Sequence, residues 1–96
     1  MASSKEYKDF VLEQLIVLSD ITYKPMMGEY LLYYKNVLFG GIYDDRLLIK
    51  KTKNNKKYDL SEEIPYKGAK LMYQVENIED QDILKNIIID TYEDLK

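Results

Sequence analysis

The side chains available for chemistry in this 96-residue chain are mainly carboxylates, lysines and tyrosines, because the sequence contains no histidine and no cysteine. Without histidine there is no imidazole to act as a general base or a metal ligand. Without cysteine there are no disulfides, thiolate ligands or thiol nucleophiles. We therefore predict a non-enzymatic binding protein that carries no cofactor and no metal.

The carboxylates occur mainly in three places, at Asp44-Asp45, at Glu62-Glu63 and between Glu76 and Asp82. The first pair is explained by a tight turn, because aspartate tolerates the positive φ that such turns need. The second pair lies in a polar, loop-like segment and is expected to be solvated. The third group, within VENIEDQD, lacks the alternating aspartates and the glycine of an EF-hand calcium loop. None of the three is predicted to be catalytic or to bind a metal.

One concentrated basic segment, KKTKNNKK, covers residues 50–57. Its functional interpretation is contact with an anionic partner such as nucleic acid. Its structural interpretation is a solvated loop tip, where lysine blocks edge-to-edge association of sheets. Scarce arginine and a net charge of −3 favour the structural interpretation, so direct nucleic-acid binding is the alternative function. The candidate anion-contact residues are Lys50, Lys51, Lys53, Lys56 and Lys57.

Two amphipathic helices are expected near the ends of the sequence. Apolar residues at spacings of three and four predict the first helix over residues 4–18. Ser3 and Glu6 suit a capping box in which Ser3 is the N-cap. A second apolar stripe, from Leu84 to Leu95, predicts a helix that runs to the C-terminus.

The length fits one domain, residues 1–96. No apolar run approaches the roughly 20 residues that a membrane span needs. The first ten residues, MASSKEYKDF, lack the basic and then apolar pattern of a secretory signal. We therefore predict a cytoplasmic protein that does not associate with membranes.

Three strand-like runs, GEYLLYY, VLFGGIY and RLLIK, are separated only by the pairs Lys35-Asn36 and Asp44-Asp45. Because Asn and Asp tolerate the positive φ of two-residue hairpin turns, these runs predict a three-stranded antiparallel meander. The pair Gly40-Gly41 in the second run suggests a bulge or a close backbone approach.

The remaining segments complete a predicted α+β fold. Residues 20–25 are interpreted as a link without secondary structure between the first helix and the first strand. Residues 51–63 are interpreted as a long loop or a distorted hairpin end. The run LMYQV, residues 71–75, is predicted to be a fourth strand. An antiparallel sheet with both helices packed on one face, in two layers, buries the apolar stripes of all these elements.

Counting across the two-residue turns assigns the side chains of the meander to two faces. The predicted inner face holds Leu31, Tyr33, Leu38, Ile42, Leu47 and Ile49, with Glu29 near its rim. The predicted outer face holds Tyr30, Leu32, Tyr34, Val37, Phe39, Tyr43, Arg46, Leu48 and Lys50. An uncovered face of this composition marks an interface, whereas a half-buried outer surface is the plainer interpretation. The candidate interaction face is Tyr30, Leu32, Tyr34, Phe39, Tyr43, Arg46 and Leu48.

Two segments of the meander carry a resemblance to a known family. KPMMGEYLLY, residues 24–33, and LFGGIYDDRLLIK, residues 38–50, resemble the N-terminal domain of the TfoX/Sxy family. That family shows a Met-x-Gly opening, a Leu-Tyr strand, a Phe-containing second strand and a third strand that ends in Lys. Tyr66 and the pair Met72-Tyr73 fit its second half, so the resemblance covers nearly the whole chain.

The resemblance implies a two-layer domain similar to secretion-chaperone-like folds. It also implies a role in regulating natural competence, through protein contacts with a DNA-binding transcription factor at promoters of DNA-uptake genes. Full-length members carry a second, helical C-terminal domain, which is not found in these 96 residues, and the family offers no catalytic motif to transfer. We expect a protein partner, and a homodimer if the aromatic face is open, since a symmetric dimer matches the same patch on both copies.

Overall fold

The structure, a computed structural model, describes residues 3–96. The helices are α1 (Lys5–Gln14) and α2 (Gln81–Leu95), and the strands are β1 (Ile21–Met26), β2 (Glu29–Tyr34), β3 (Val37–Ile42), β4 (Leu47–Ile49), β5 (Ser61–Glu63) and β6 (Met72–Val75). Short 3-10 helices lie at Leu15–Val17 and Lys56–Tyr58. The predicted α+β fold is confirmed. Neither helix in the described part of the chain is long and apolar enough to cross a membrane.

All six strands form one antiparallel sheet in the order β1-β2-β3-β4-β6-β5. The predicted meander corresponds to β2, β3 and β4, and the predicted fourth strand is β6. Two strands were not predicted from the sequence. β1 occupies most of residues 20–25, which were interpreted as a link without secondary structure. β5 lies inside residues 51–63, which were interpreted as a loop.

Proline explains how β1 serves as an edge strand. The Lys35 N–H donates to the Asp20 carbonyl at 3.0 Å, so by alternation the backbone groups of Ile21, Tyr23 and Pro25 point away from β2. Because Pro25 has no backbone N–H, the open edge of β1 has one hydrogen-bond donor fewer. This discourages pairing with another chain.

Tight turns set the register of the meander. Lys35 and Asn36 have φ of 50° and 67°, and Asp44 and Asp45 have φ of 52° and 54°. Positive φ at both central residues is typical of the type I′ turn, whose twist matches that of a hairpin. Both predicted two-residue turns are therefore confirmed.

Helix α1 begins one residue later than the capping box predicted. Its N-cap is Ser4, whose side chain accepts from the Tyr7 N–H at 3.1 Å. Ser3 is not the cap; its hydroxyl donates to Glu29 Oε1 at 2.6 Å and accepts from the Asp45 N–H at 3.0 Å. These bonds fasten the start of α1 to the turn that joins β3 and β4.

Both helices pack on one face of the sheet, but the prediction of which β2 residues lie there was wrong. The core cluster contains Val11 and Leu15 from the first helical segment, Leu84, Ile87 and Ile88 from α2, and Leu32, Tyr34, Phe39, Ile42, Leu47, Ile49, Tyr73 and Val75 from the sheet. Tyr30 packs against this cluster. Tyr30, Leu32, Tyr34 and Phe39, which were predicted to face outward, therefore belong to the inner face.

A single β-bulge causes this error. Beside the turn, Tyr34 pairs with Val37 and Tyr33 with Leu38, as two-residue counting predicts. Leu32 then pairs with Gly40 instead of Phe39, so β3 holds one extra residue. An extra residue reverses the alternation of faces along a strand. Leu31, Tyr33 and Leu38 consequently lie on the outer face, while the predicted inward placement of Ile42, Leu47 and Ile49 is confirmed.

The two glycines of β3 allow this geometry. A Cβ on Gly40 would overlap the Leu48 carbonyl oxygen and lie 2.8 Å from Ile49 Cα. A Cβ on Gly41 would lie 2.6 Å from the Tyr30 carbonyl oxygen. In both cases the obstacle is backbone of a neighbouring strand, which cannot turn away as a flexible side chain can. The predicted close approach of backbone at this pair is confirmed.

Replacing Gly40 by alanine is therefore expected to lower the free energy of unfolding by about 2–3 kcal/mol, because the added methyl group overpacks the β3–β4 contact. Gly68→Ala is the matched control. Gly68 has φ of +87° but no atom within 4 Å of an added Cβ, so its cost is limited to about 1 kcal/mol of backbone strain. Urea unfolding of both variants measures the difference, and equal losses would contradict the close approach at Gly40.

Candidate functional site

The outer face of the sheet is the first candidate site, and three residues of the predicted interaction face do lie on it. These are Tyr43, Arg46 and Leu48. Leu48 pairs with Gly41 and Tyr43 pairs with Arg46, and these pairs lie on the face away from the helices. Leu48 is fully buried and Tyr43 is 7% exposed, so neither is open to a partner. The segment from residue 64 to residue 71, which we name the connector, lies beside them and joins β5 to β6.

Arg46 fastens the connector to the sheet. Its Nη2 donates to the Ile64 carbonyl at 3.2 Å and its Nε donates to the Tyr43 carbonyl at 3.2 Å. Its Nη1 also lies 3.6 Å from Glu63 Oε1. The planar guanidinium can bridge several acceptors at once, so Arg46 acts here as a structural link between β4 and the connector.

Tyr43 and Tyr66 join the connector to the middle of the outer face. Their ring centroids lie 6.3 Å apart at an angle of 54°. The Tyr43 ring also lies over Gly41, because a Cβ there would be 2.8 Å from Tyr43 Cε2. Burial is the main cause that raises the pKa of Tyr43, and the nearby Tyr66, Glu29 and Tyr33 add to it. Tyr43 thus lies near both Tyr33 of β2 and Tyr66 of the connector.

The part of the outer face beyond the connector is formed by Leu31, Tyr33 and Leu38, which we name the outer patch. Tyr33 and Leu38 are cross-strand neighbours, and Leu31 pairs with Lys24 on one side and Gly41 on the other. All three side chains are half-buried, and none belongs to the core cluster of the described residues. Sequence counting placed these residues in the core, and only the Gly40-Gly41 pair signalled that the register changes.

The basic segment is the second candidate site, and the structure docks much of it onto α2. Lys57 Nζ lies 3.1 Å from Asp90 Oδ2, and Lys51 forms an ion pair with Glu62. The Asn54 N–H donates to Asp94 Oδ2 at 2.7 Å. Acidic side chains of the same chain therefore already offset part of the charge that was predicted to contact an anion. Lys53 and Lys56 remain exposed on the segment, and Lys50 is half-buried.

Asn55 holds this segment in place from inside the protein. It is fully buried. Its Nδ2 donates to the Lys50 carbonyl at 2.8 Å and to Thr91 Oγ1 at 2.9 Å, and its Oδ1 accepts from the Thr52 N–H at 2.9 Å. A buried amide is stable only when its polar atoms are paired in this way. The polar run around Asn55 gave no sign of a buried residue.

A tyrosine–aspartate pair closes the docking of the segment onto α2. The Tyr58 hydroxyl donates to Asp90 Oδ2 at 2.5 Å. This hydrogen bond, followed by the Lys57 ammonium, holds the pKa of Asp90 below its ordinary value of 3.8. Burial, together with the Asp90 carboxylate, raises the pKa of Tyr58 to about 12. At neutral pH the pair is therefore a neutral phenol that donates to a carboxylate.

Two carboxylates near the start of α1, Glu29 and Asp45, serve structural roles. Glu29 accepts from the Ser3 N–H at 2.8 Å and from the Asp44 N–H at 3.1 Å. Asp45 accepts from the Ser4 N–H at 2.8 Å. Negative side chains at the start of α1 also suit the positive end of its helix dipole. Within residues 3–96 no group of three acidic side chains is placed to hold a metal ion.

We expect Asn55→Ala to lower the free energy of unfolding by about 2–3 kcal/mol, because it leaves the Thr52 N–H and the Lys50 carbonyl buried without their partner. Asn54→Ala, a neighbouring change that removes an exposed hydrogen bond to Asp94, is expected to cost about 1 kcal/mol or less. Chemical denaturation of the two variants measures both. A cost for Asn55→Ala no larger than that of the control would contradict its role.

Acid is expected to destabilise the protein partly through Asp90. Because the folded-state pKa of Asp90 is depressed, its contribution is present above the unfolded pKa and is lost as the pH falls through the folded pKa. Asp90→Asn should therefore lower stability at pH 7 and flatten the decline between about pH 5 and pH 2. Urea unfolding across that range tests this, with Glu13→Gln, an exposed carboxylate on α1, as the control. An unchanged slope in Asp90→Asn would refute it.

Comparisons of the chain with protein-family models, with curated proteins and with solved structures found no match. The TfoX/Sxy assignment therefore stays a prediction that rests on the strand segments quoted above.

Proposed function

We propose that the protein is a non-enzymatic interaction module that binds a partner protein through the outer patch. The observation that carries this proposal is the separation of the two sheet faces. Both helices contribute to the core cluster on the inner face, whereas Leu31, Tyr33 and Leu38 lie outside that cluster. Half-buried apolar and aromatic side chains gathered on the sheet face away from the helices suit an interface.

The charges around the outer patch indicate the chemistry of the partner. Lys24 pairs with Leu31 across the β1–β2 ladder and is exposed. On the other side of the outer patch, Lys50 comes two residues after Leu48, whose side chain also lies on the outer face. A complementary partner would therefore present apolar side chains between acidic ones. A second copy of the same chain would bring these lysines toward each other, which disfavours a symmetric dimer through this patch.

Four carboxylates already form hydrogen bonds within the chain, and this supports a binding role over a catalytic one. Glu29 and Asp45 hold the start of α1, and Asp90 and Asp94 hold the basic segment. Each of these carboxylates accepts at least one hydrogen bond from an N–H or O–H group of the same chain. A general base needs a carboxylate within reach of a substrate, and these four are engaged elsewhere.

The resemblance to the TfoX/Sxy N-terminal domain supports a more specific partner. It makes a transcription regulator of DNA-uptake genes the expected target, contacted through protein surfaces. The segments that carry that resemblance, residues 24–33 and 38–50, include all three members of the outer patch. The proposal of a cytoplasmic competence regulator rests on this resemblance, while the proposal of an interaction module rests on the patch.

Affinity capture from extract of the native cell, followed by a binding measurement with the purified partner, tests the function. Tyr33→Asp and Leu38→Asp should each weaken the complex about tenfold or more, because a charge in the centre of an apolar contact loses its hydration. Ile16→Asp is the matched control. Ile16 is an exposed residue of the 3-10 helix after α1, 78% exposed, and the same change there should leave binding intact.

The outcomes separate the layers of the proposal. Recovery of one defined partner by wild type and Ile16→Asp but not by the patch variants supports the interaction module, and a DNA-binding regulator as that partner supports the competence role. A partner of another kind would overturn the competence role alone. If the patch variants retain the partner, the outer patch is not the interface. Sedimentation of wild type as a concentration-dependent dimer that Tyr33→Asp abolishes would replace the partner protein by a second copy.

A further inference from the structure

The connector forms one wall of a groove that lies apart from the outer patch. The groove has a volume of about 680 Å³, and its lining includes Tyr43, Lys50, Lys51, Tyr66, Lys70 and Met72. Cavities that hold small ligands in proteins typically measure 300–1,000 Å³. The groove is therefore large enough for one nucleotide-sized molecule.

The groove is basic although the whole chain is acidic. Lys50, Lys51 and Lys70 are the charged members of its lining, which contains no Asp or Glu. Lys51 forms an ion pair with Glu62, whereas the salt bridges within residues 3–96 involve neither Lys50 nor Lys70. Unneutralised lysines around a concave surface concentrate positive potential and attract anions.

An aromatic ring stands at the mouth of the same groove. Tyr66 is 60% exposed, and the ring is supported on one side by the buried Tyr43 at a centroid distance of 6.3 Å. Because Tyr43 lies on one side of the Tyr66 ring, the rest of the ring is open to a second planar group. A fixed aromatic ring of this kind is the platform on which nucleobases stack.

The backbone keeps the platform fixed and the space beside it open. The Ala69 N–H donates to the Tyr66 carbonyl at 3.1 Å, which closes a tight turn. Gly68 in that turn has φ of +87°, and an added Cβ would meet no atom within 4 Å. Arg46 fixes the start of the connector through the Ile64 carbonyl. A ligand would therefore meet a groove that is already formed, without paying for loop ordering.

We propose that the connector groove binds a nucleotide unit, with the base stacked on Tyr66 and the phosphate held by Lys50 and Lys70. The ligand is a free nucleotide or one residue of a single-stranded nucleic acid, which share this chemistry. The site differs from the basic segment predicted from the sequence, since it combines Lys50 of that segment with Tyr66 and Lys70 and does not use Lys53, Lys56 or Lys57. None of the three residues of the outer patch lines the groove, although Lys50, which does line it, also lies beside the patch.

Amide-detected NMR titration of the full chain tests the proposal with four probes. These are AMP, a single-stranded deoxyadenylate hexamer, ribose 5-phosphate, which lacks a base, and hexaglutamate, which carries negative charge without a base or phosphate. We expect AMP and the hexamer to shift the amide signals of residues 66–72. The two probes without a base are expected to bind at least about tenfold more weakly, because they lose the stacking contribution.

Three variants locate the contacts. Tyr66→Ala should weaken AMP binding about tenfold, while Tyr66→Phe, which keeps the ring, should restore it. Lys70→Gln should weaken binding about fivefold and reduce its dependence on salt. Lys85→Gln is the control, since it removes the same charge from an exposed position on α2 and should leave binding unchanged.

Each result decides the proposal or its ligand. Equal binding of AMP and ribose 5-phosphate, equal binding of hexaglutamate and the hexamer, or shifts confined to residues 53–57 would overturn it, as would absence of shifts at millimolar AMP. Binding of the hexamer about tenfold more tightly than AMP assigns the site to single-stranded nucleic acid, and equal affinity assigns it to the free nucleotide. Because Tyr33→Asp leaves every groove residue in place, loss of the partner protein and loss of nucleotide are distinguishable outcomes.

Discussion

The bulge in β3 is the constraint on which the rest of the structure depends. One extra residue at Phe39 lets two consecutive positions, Phe39 and Gly40, sit on the inner side of the sheet. As a result Leu32 and Tyr34 of β2 face the helices together with Ile42 and Leu47, and the core cluster is continuous from β2 to β6. Without the bulge, one of the two hairpins would turn its apolar residues to the solvent, because register and face are tied together in a pleated sheet.

Glycine makes the bulge possible because of what lies beside it. The backbone of β4 is so near Gly40 that no side chain fits there, and the carbonyl of Tyr30 is equally close to Gly41. The strain-free position of both strands thus depends on the absence of two methyl groups. The same absence at Gly41 leaves a hollow on the outer face, which the Tyr43 ring covers. A feature that orders the inner core therefore also places the tyrosine that supports the connector.

The predictable part of the fold is the part that local patterns control. The helices follow from apolar periodicity, and the two hairpin turns follow from residues that tolerate positive φ, at Lys35-Asn36 and Asp44-Asp45. β1 was missed because it contains proline and few buried residues, which is typical of an edge but not of a central strand. β5 was missed because its three residues, Ser-Glu-Glu, have little intrinsic preference for strands. Both owe their existence to a neighbouring strand rather than to their own sequence.

The site residues were harder to predict because their positions depend on long-range contacts. A one-residue slip in β3 exchanged the predicted faces of β2, so four of the seven residues in the predicted interaction face lie on the inner face, three of them in the core cluster. Asn55 became the buried anchor of the basic segment through Thr91, 36 positions away. Tyr66 and Lys70 line one groove on a connector that Arg46 holds against the sheet. No local pattern in the sequence encodes any of these three relationships.

Polar contacts at the two ends of the sheet determine which surfaces remain for binding. At one end Ser3, Ser4, Glu29 and Asp45 satisfy one another, and at the other end Asp90 and Asp94 hold the basic segment. Groups that are bonded within the chain must lose those bonds before they can contact a ligand, which costs about 0.5–1.5 kcal/mol for a typical hydrogen bond. The outer patch and the connector groove carry no such cost, because their apolar side chains and the ammonium groups of Lys50 and Lys70 take part in none of these bonds. Both surfaces that we propose, the apolar outer patch for a protein and the basic, aromatic groove for a nucleotide, therefore lie away from the side chains that internal hydrogen bonds engage.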